Sequence, residues 1–281
     1  MDRVCAWFTE NARSLPWRDT SPWGVMVSEF MLQQTPVSRV EPVWQAWMSR
    51  WPNPSDLAAE PSGEAVRAWG RLGYPRRALR LHATARVIAT EFDDEVPSDE
   101  VTLRLLPGVG DYTAAAICAF AFGQSTVVLD VNVRRVISRA WTGVAEPPSH
   151  LTAVERALAA SLASAATDAA AWAAASMELG AIVCTRQNPS CGECPLRRSC
   201  LWRKQGAPAS ASPSRGQPRF EGSDRQARGR IMATLRETRG SLDEVSLLVA
   251  VDDPVQAQRA LASLLADALV VRSRGRYSLP D

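Results

Sequence analysis

The sequence of 281 residues lacks the features of a membrane or secreted protein. Its most apolar stretch, residues 157–180, is largely alanine and is interrupted by Asp168, so it predicts buried helix rather than a membrane span. The first residues contain no basic segment followed by a sustained apolar run, so we expect no signal peptide. We therefore predict a cytoplasmic protein that makes no membrane contact, in a reducing compartment where structural disulfides are rare.

Histidine and lysine are also scarce. The chain contains two histidines, His82 and His150, and one lysine, Lys204. Its basic charge is mostly arginine and is concentrated in residues 186–230, where ten basic side chains outnumber three acidic ones. Such a run predicts an anionic partner such as a nucleic-acid backbone, and a solvated arginine-rich linker is the alternative.

Four of the six cysteines, by contrast, lie within seventeen residues. They are spaced C-x6-C-x2-C-x5-C at positions Cys184, Cys191, Cys194 and Cys200. Zinc sites usually combine two close cysteine pairs or add histidine, whereas this loop has one close pair and both histidines are remote in sequence. Four thiolates from one short loop favour a [4Fe–4S] cluster, with zinc as the alternative. Cys5 and Cys118 lie in apolar helical contexts and are interpreted as buried small side chains.

Helical spacing of apolar residues dominates the first part of the chain and predicts an all-α domain over residues 1–204. Residues 205–220, rich in proline, serine, glycine and alanine, predict a mobile linker. Residues 221–281 predict a small separate domain with three helical stretches and a hairpin that turns at Arg274–Gly275. This order of elements is typical of a winged helix.

The segment LPGVGDYTAAAI places Gly108 and Gly110 just before a helix. Both glycines could take a positive φ, and the free N–H groups at the start of a helix can hold a phosphate. Taken alone, two glycines before a helix more often form only a turn.

Two carboxylates stand in unusual surroundings. Glu29 lies on a helical face with Val25, Met26 and Leu32, where desolvation would raise its pKa and suit it to donate a proton. The alternative is an ion pair with an arginine across the core. Asp130 follows three apolar residues in VVLDVNVRR, and its simpler interpretations are a helix N-cap or a core salt bridge.

Five motifs occur in a fixed order: MVSEFMLQQT, LGY, LPGVGDYTAAAI, LDVNVRRV and MELGAIVC with the cysteine spacing that follows it. Together they closely resemble the adenine-specific DNA glycosylases of the MutY type, within the helix–hairpin–helix, iron–sulfur endonuclease III superfamily. The resemblance covers about residues 1–203. It implies two helical lobes with DNA between them, a phosphate-binding hairpin at 105–123 and a [4Fe–4S] loop whose arginines face phosphates.

The resemblance also implies roles for single residues. Glu29 matches the catalytic glutamate, which would protonate adenine N7, and Asp130 matches the aspartate that stabilises the oxocarbenium-like sugar. Asn132 supports Asp130, and Tyr112 matches a tyrosine near the reacting sugar. The residues matched to DNA contacts are Trp17 and Arg18 at the adenine pocket, Gln34 and Tyr74 as residues inserted into the duplex, and Thr35 and Leu72 at the opposite base.

Two departures from the family pattern stand out. Ala174 occupies a position where members often have glutamine or glutamate, so one adenine contact is expected to be missing. Residues 221–281 are too short for the Nudix-like domain that reads oxidised guanine. They carry nine basic and nine acidic side chains, so we expect an appendage that docks or touches the DNA backbone rather than a lesion sensor.

The leading hypothesis is a monofunctional and monomeric glycosylase, associated with the nucleoid. It would flip out and remove adenine opposite 8-oxoguanine or guanine in double-stranded DNA. One alternative is a bifunctional glycosylase and lyase for oxidised pyrimidines, which would need a Schiff-base lysine where this chain has Tyr112. The other is a non-enzymatic iron–sulfur regulator that binds DNA through the winged helix, which would have no need of Glu29 and Asp130.

Overall fold

The computed structural model describes residues 1–210 and 219–281. In these ranges the helices are α1 (Asp2–Asn11), α2 (Pro22–Leu32), α3 (Val37–Arg50), α4 (Pro54–Ala58), α5 (Ser62–Trp69), α6 (Arg76–Glu91), α7 (Glu100–Leu103), α8 (Asp111–Phe122), α9 (Val131–Ile137), α10 (Ala153–Ser164), α11 (Ala169–Ile182), α12 (Leu201–Lys204), α13 (Asp224–Glu237), α14 (Glu244–Leu248) and α15 (Pro254–Ala266). A 3-10 turn spans Pro16–Arg18 and a π-helical turn spans Ser138–Thr142. Two strands, β1 (Val271–Ser273) and β2 (Arg276–Ser278), complete the set.

The prediction of an all-α fold is confirmed, because the strands of the described ranges form only one two-stranded sheet. None of the described helices combines the length and the apolar character that crossing a bilayer requires. The predicted linker, residues 205–220, lies partly outside the described residues.

The chain divides into two compact units, each assembled from separate stretches of sequence. The first comprises Met1–Val25, Ser98–Leu105 and residues 109–210. The second comprises Met26–Pro97, Leu106–Gly108 and residues 219–281. Helix α2 begins in the first unit and ends in the second.

The core of the first unit surrounds α11. Val4 of α1, Val136 of α9 and Leu179 of α11 are buried in one apolar cluster. The alanine-rich stretch that predicted a buried helix forms parts of α10 and α11, with the break before Asp168. The Asp168 carboxylate accepts a hydrogen bond from the Ala171 backbone N–H at 2.9 Å, so this residue is the N-cap of α11.

Tryptophans form the centre of the second unit. Trp47 packs edge to face against Trp51 and Trp69, with ring centroids 4.7 and 5.7 Å apart. All three side chains are almost fully buried. Edge-to-face contacts of this kind add to the large apolar area that each ring removes from water.

The C-terminal domain has the predicted three helices and hairpin. The strands pair antiparallel, with Arg272 opposite Tyr277, and the turn residues Arg274 and Gly275 both have positive φ, as in the tight turns that suit hairpins. An isolated bridge between Leu242 and Tyr277 extends the sheet.

Residues 219–281 belong to the second compact unit, together with Met26–Pro97 and Leu106–Gly108. The Gly63 N–H donates to the Pro280 carbonyl at 2.7 Å, and the Arg67 guanidinium donates to the carbonyls of Leu235 and Arg236. A salt bridge of 3.1 Å joins Arg76 to Asp267. Sequence composition could not show these contacts, since most use main-chain carbonyls that every residue carries.

Gly63→Ala tests this packing. A Cβ at residue 63 would lie 2.4 Å from the Pro280 carbonyl oxygen and 2.8 Å from Leu279 Cβ, so the domain must shift. We expect a loss of about 1–3 kcal/mol in the free energy of unfolding, as for other overpacked sites.

The matched control is Gly229→Ala in α13, where an added Cβ meets nothing within 4 Å. That variant should gain roughly 0.5–1 kcal/mol from helix propensity. Chemical denaturation of both variants measures the difference, and equal effects would contradict the described packing.

Candidate functional site

Asp130 caps the start of α9. Its Oδ1 accepts hydrogen bonds from the backbone N–H groups of Asn132 at 2.9 Å and Val133 at 2.7 Å, and its Oδ2 accepts one from the Asn132 side-chain amide at 2.7 Å. The N-cap interpretation of Asp130 is therefore right as a description of its local structure. The supporting contact expected from Asn132 is also present.

The electrostatic surroundings of Asp130 pull in two directions. Burial raises the pKa of its carboxyl group. The N–H donors from residues 132 and 133 and the charge of Arg135 act against that rise, because they stabilise the ionised form. Arg135 is linked to the same group through Asn132, whose Oδ1 accepts a hydrogen bond from Arg135 Nη2 at 2.8 Å. The start of α9 thus offers donors to a negative charge, while burial keeps the pKa of Asp130 above its usual value.

A glycine allows α9 to reach this position. A Cβ at Gly180 of α11 would lie 2.7 Å from both the Cβ and the carbonyl oxygen of Asn132. Only glycine lets the two backbones approach so closely, so Gly180 fixes where Asp130 and Asn132 stand. The glycine of the motif MELG was visible in the sequence. Its spacing alone did not distinguish a glycine required for helix packing from one that ends a helix.

Glu29 lies on α2 and belongs to the second unit. Its side chain is 6% exposed, and its neighbours Met26 and Phe30 are almost fully buried. The side chain is therefore buried, as the apolar spacing of its helix predicts. Its role as a proton donor stays a prediction.

Two short loops of the second unit carry the residues matched to DNA contacts. Gln34 follows α2 and is exposed, while Tyr74 precedes α6 and is 55% exposed. Both have positive φ, at 55° and 48°. Thr35 is buried, and Leu72 is only 4% exposed, so in this structure the Leu72 side chain packs into the lobe instead of projecting from it.

Arg77, for which the sequence predicted no role, joins these two loops. Its guanidinium donates to the carbonyls of Phe30, Gln33 and Gly73 and to Thr35 Oγ1. Burial lowers the pKa of Arg77 to about 10, so the group stays charged at neutral pH. The pair Arg76–Arg77 after LGY was the available signal, but a basic pair at a helix start is usually solvated.

The two glycines before α8 have different backbone conformations. Gly108 has φ +83°, and a Cβ there would meet Arg80 Cβ at 2.9 Å. Gly110 has φ −102°, so it does not use the positive φ that glycine permits. Gly110 is the N-cap of α8, and a Cβ there would meet nothing within 4 Å. A side-chain-free position beside open space leaves room for another molecule to approach the backbone.

Trp17 and Arg18 form the 3-10 turn after α1. Trp17 is buried, and Arg18 Nη2 forms a 3.0 Å salt bridge with Glu178 of α11. Arg13 holds the same carboxylate with hydrogen bonds of 2.8 Å to each oxygen. Although burial alone would raise the pKa of Glu178, Arg13 and Arg18 hold it below its usual value.

This Arg13–Glu178–Arg18 group was not predicted, because Glu178 lies at least 160 residues from both arginines in the sequence. Ala174, one helical turn before Glu178, is half-buried. Tyr112 of α8 is also half-buried and packs against an alanine cluster of α8 and α11.

The four cysteines of residues 184–200 line one pocket. Its walls also include Val183, Pro189 and Trp202. Burial raises the pKa of the Cys194 thiol to about 11, with the other three cysteines adding to the rise. Thiols in this setting stay protonated unless a metal supplies positive charge.

These residues fit an iron–sulfur cluster. Four cysteine side chains line one recess, and a cubane offers four corners to four sulfurs.

Two buried arginines hold the cysteine loop from behind. Arg135 donates to the carbonyls of Cys184 at 2.7 Å and Gly180 at 2.6 Å. Arg139 donates to the Thr185 carbonyl at 2.7 Å and lies 3.6 Å from Cys184 Sγ. Arg135 and Arg139 are thus buried behind the loop. The exposed basic side chains, which are the ones predicted to face DNA phosphates, are Arg186, Arg197, Arg198, Arg203 and Lys204.

Comparison with known proteins places this geometry in a family. Residues 27–160 match the HhH-GPD superfamily of base excision DNA repair proteins, and residues 184–200 match the iron–sulfur binding domain of endonuclease III. The adenine DNA glycosylase of Mycolicibacterium smegmatis is 50% identical over 98% of this chain and 94% of its own length. The one of Mycobacterium tuberculosis H37Rv is 47% identical over 99% and 92%. The human adenine DNA glycosylase is 41% identical over 72% and 39%.

Solved structures agree at the level of the fold. A thermostable thymine-DNA glycosylase gives a TM-score of 0.66 at 26% identity, covering 72% of this chain and 94% of that one. An endonuclease III in a non-covalent DNA complex gives 0.61 at 22%, covering 73% and 94%. The cofactor is a [4Fe–4S] cluster, as the family match at residues 184–200 indicates. The chain belongs to the adenine DNA glycosylases of the helix–hairpin–helix superfamily and is a base excision repair enzyme.

Proposed function

We propose that this enzyme removes adenine mispaired with 8-oxoguanine or guanine and that it does so without cleaving the strand. The observation that carries the proposal is a pair of carboxylates that the fold holds in two different surroundings. Glu29 is only 6% exposed on α2, and Asp130 is held by three N–H donors at a helix start. Two carboxyl groups in different surroundings can take the separate roles of acid and anion.

In the proposed reaction the adenine is first flipped out of the duplex. Glu29 then donates a proton to N7, which makes the base a better leaving group. The bond between the sugar and the base breaks, and the ionised Asp130 stabilises or traps the positive charge on the sugar. Asn132 keeps the Asp130 carboxylate in place, and water completes the hydrolysis.

The scarcity of lysine supports a monofunctional mechanism. A lyase forms a Schiff base through a lysine, and the resemblance places Tyr112 where that lysine would stand. The single lysine, Lys204, belongs to α12, directly after the cysteine loop. The bifunctional alternative therefore has no suitable amine. The regulator alternative leaves Glu29 and Asp130 unexplained.

The substrate contacts are proposed from the same resemblance. We assign contact with the opposite base to Gln34, Thr35, Leu72 and Tyr74. Leu72 is buried in this structure, so it would support the loop before Tyr74 by packing beneath it. Trp17 and Arg18 are assigned to the adenine pocket. Gly108 and Gly110 are assigned to a phosphate, since the backbone N–H groups at the start of α8 can donate to it.

We assign the cluster to Cys184, Cys191, Cys194 and Cys200. When bound, it would hold the loop in shape by four metal–thiolate bonds, while the exposed arginines of residues 186–203 contact DNA phosphates. The carboxylates supply the chemistry. The monomeric state and a cytoplasmic, nucleoid-associated location stay predictions from the sequence.

Glu29→Gln and Asp130→Asn test the two assignments. Each variant should lose at least about 10²–10⁴-fold in the single-turnover rate of adenine excision, because one loses the proton donor and the other the charge. Binding to duplex DNA should be largely retained. Rates are measured by alkaline strand scission at an adenine opposite 8-oxoguanine.

The matched control for Asp130 is Asp253→Asn. Asp253 also caps a helix, accepting hydrogen bonds from the Val255 and Gln256 N–H groups. It should lose the same negative charge at a helix start, retain a capping oxygen and keep its activity. A near-normal rate in Asp130→Asn, or an equal loss in both cap variants, would contradict the catalytic assignment.

Strand cleavage tests the monofunctional mechanism. Borohydride added during turnover should trap little covalent protein–DNA complex, since no lysine is placed to form the imine. Strands should break only after alkali, and a bifunctional glycosylase with its own substrate serves as the positive control. Efficient trapping would restore the lyase hypothesis.

Iron content tests the cluster ligands. The purified enzyme should be brown and contain about four irons per chain. Cys194→Ala should lose iron and thermal stability, whereas Cys5→Ala, which changes a cysteine outside the pocket, should retain both. One zinc per chain with full activity would overturn the assignment.

A further inference from the structure

Two residues of the second unit hold a backbone conformation that side chains disfavour. Gln34, with φ 55°, and Tyr74, with φ 48°, occupy the left-handed region where glycine is usual. Such conformations persist only where surrounding contacts determine them. Glycine would relieve the strain at either position. The chain nevertheless has a glutamine and a tyrosine there, which is consistent with a use for the two side chains.

The contacts that determine both loops come from Arg77. Its Nη1 donates to the carbonyls of Gln33 at 2.6 Å and Phe30 at 2.9 Å. Its Nη2 donates to Thr35 Oγ1 at 3.0 Å and to the Gly73 carbonyl at 3.1 Å. One guanidinium therefore bonds to residues 33 and 35, on either side of Gln34, and to the residue before Tyr74.

The guanidinium also lies beside two aromatic rings. Its Cζ is 5.2 Å from the ring centroid of Trp69 and 5.5 Å from that of Tyr74. The described hydrogen bonds of Arg77 all go to neutral oxygens. A buried cation normally pairs with a carboxylate. In the described contacts, the Arg77 guanidinium instead donates its hydrogen bonds to oxygens of the two loops.

Lysine could not replace this geometry. A guanidinium is a planar fork with five donors, whereas an ammonium presents three donors at one point. The carbonyls of residues 30, 31 and 33 also come at the end of α2, where backbone oxygens lack helical partners. Arg77 thus supplies donors to a helix end and to both loops at once.

We propose that Arg77 is a positioning residue that fixes Gln34, Thr35 and Tyr74 as one rigid reader of the base opposite the adenine. The inference rests on the proposed function, which assigns these three residues to the opposite base. Arg77 itself, only 6% exposed, acts through the loops and does not touch DNA.

Arg77 could support the fold of α2 in general or position the two loops in particular. The two roles have different effects on the excision rates. Glu29, on the same helix, acts on the adenine whichever base lies opposite, so general damage to α2 lowers all excision rates together. Damage to the reader changes the ratio between adenine opposite 8-oxoguanine and adenine opposite guanine. The ratio of the two single-turnover rates therefore isolates positioning.

The experiment compares Arg77→Met and Arg77→Lys with the wild type. Loss of a charge-assisted hydrogen-bond set should lower the rate ratio by about tenfold in Arg77→Met. Arg77→Lys should lie between, because it keeps the charge and loses the fork. If Arg77→Met fails to fold, Arg77→Lys decides the question.

The matched control is Leu81→Ala, a fully buried position one turn further along α6. A cavity there should reduce the thermal stability by an amount comparable to the arginine variants. It should leave the rate ratio unchanged. An equal fall in the control would mean that the ratio reports stability, and the proposal would be wrong.

Fluorine NMR gives a readout that does not depend on activity. The chain has three tyrosines, Tyr74, Tyr112 and Tyr277, so 3-fluorotyrosine labelling yields three signals. Arg77→Lys should shift or broaden the Tyr74 signal and leave the other two in place. Tyr→Phe variants assign the signals.

The outcomes separate this inference from the proposed function. If the wild type removes no adenine opposite 8-oxoguanine, the proposed function fails, and the Tyr74 signal still reports whether Arg77 orders the loop. If adenine is removed but Arg77→Lys leaves both the ratio and the Tyr74 signal unchanged, the positioning role is overturned.

Discussion

Hydrogen bonds from buried guanidinium groups to main-chain carbonyls hold the functional loops of both units. In the second unit Arg77 bonds to the loops at residues 33–35 and 73. In the first unit Arg135 and Arg139 bond to carbonyls of the cysteine loop. A loop has few internal backbone hydrogen bonds, so its carbonyls need donors from elsewhere. A buried arginine supplies up to five donors from one side chain and therefore orders a loop that carries no regular structure.

The two carboxylates depend on different kinds of support. Glu29 owes its setting to burial among apolar residues of α2, which any helix with the right spacing provides. Asp130 owes its setting to three N–H donors and to the close approach of α9 to Gly180. Burial raises the pKa of Asp130, and its N–H donors oppose that rise because they stabilise the ionised form. Under the proposed function, Glu29 acts as the acid and Asp130 as the anion.

The sequence predicted the helices of residues 22–32, 76–91 and 224–237 well, because apolar periodicity and proline or glycine punctuation mark them. The i±3 and i±4 neighbours of Glu29 predicted a largely apolar helix face there, and the side chain is buried. It could not predict Arg77, the Arg13–Glu178–Arg18 group or the docking of residues 219–281, since these depend on partners far apart in sequence or on main-chain carbonyls. Gly110 shows the same limit, because a glycine permits a positive φ without requiring one.

The near absence of lysine connects the binding of DNA with the proposed chemistry. Excision leaves an abasic sugar whose open form carries an aldehyde, and a lysine amine near it would form a Schiff base and lead to strand cleavage. Guanidinium groups bind phosphate at least as well and remain protonated, so they do not act as nucleophiles. A chain whose 32 basic side chains include only Lys204 as an amine can therefore hold DNA and brace its loops by arginine alone. The use of arginine in place of lysine permits the Arg77 geometry. Under the proposed mechanism, it also keeps the product strand intact.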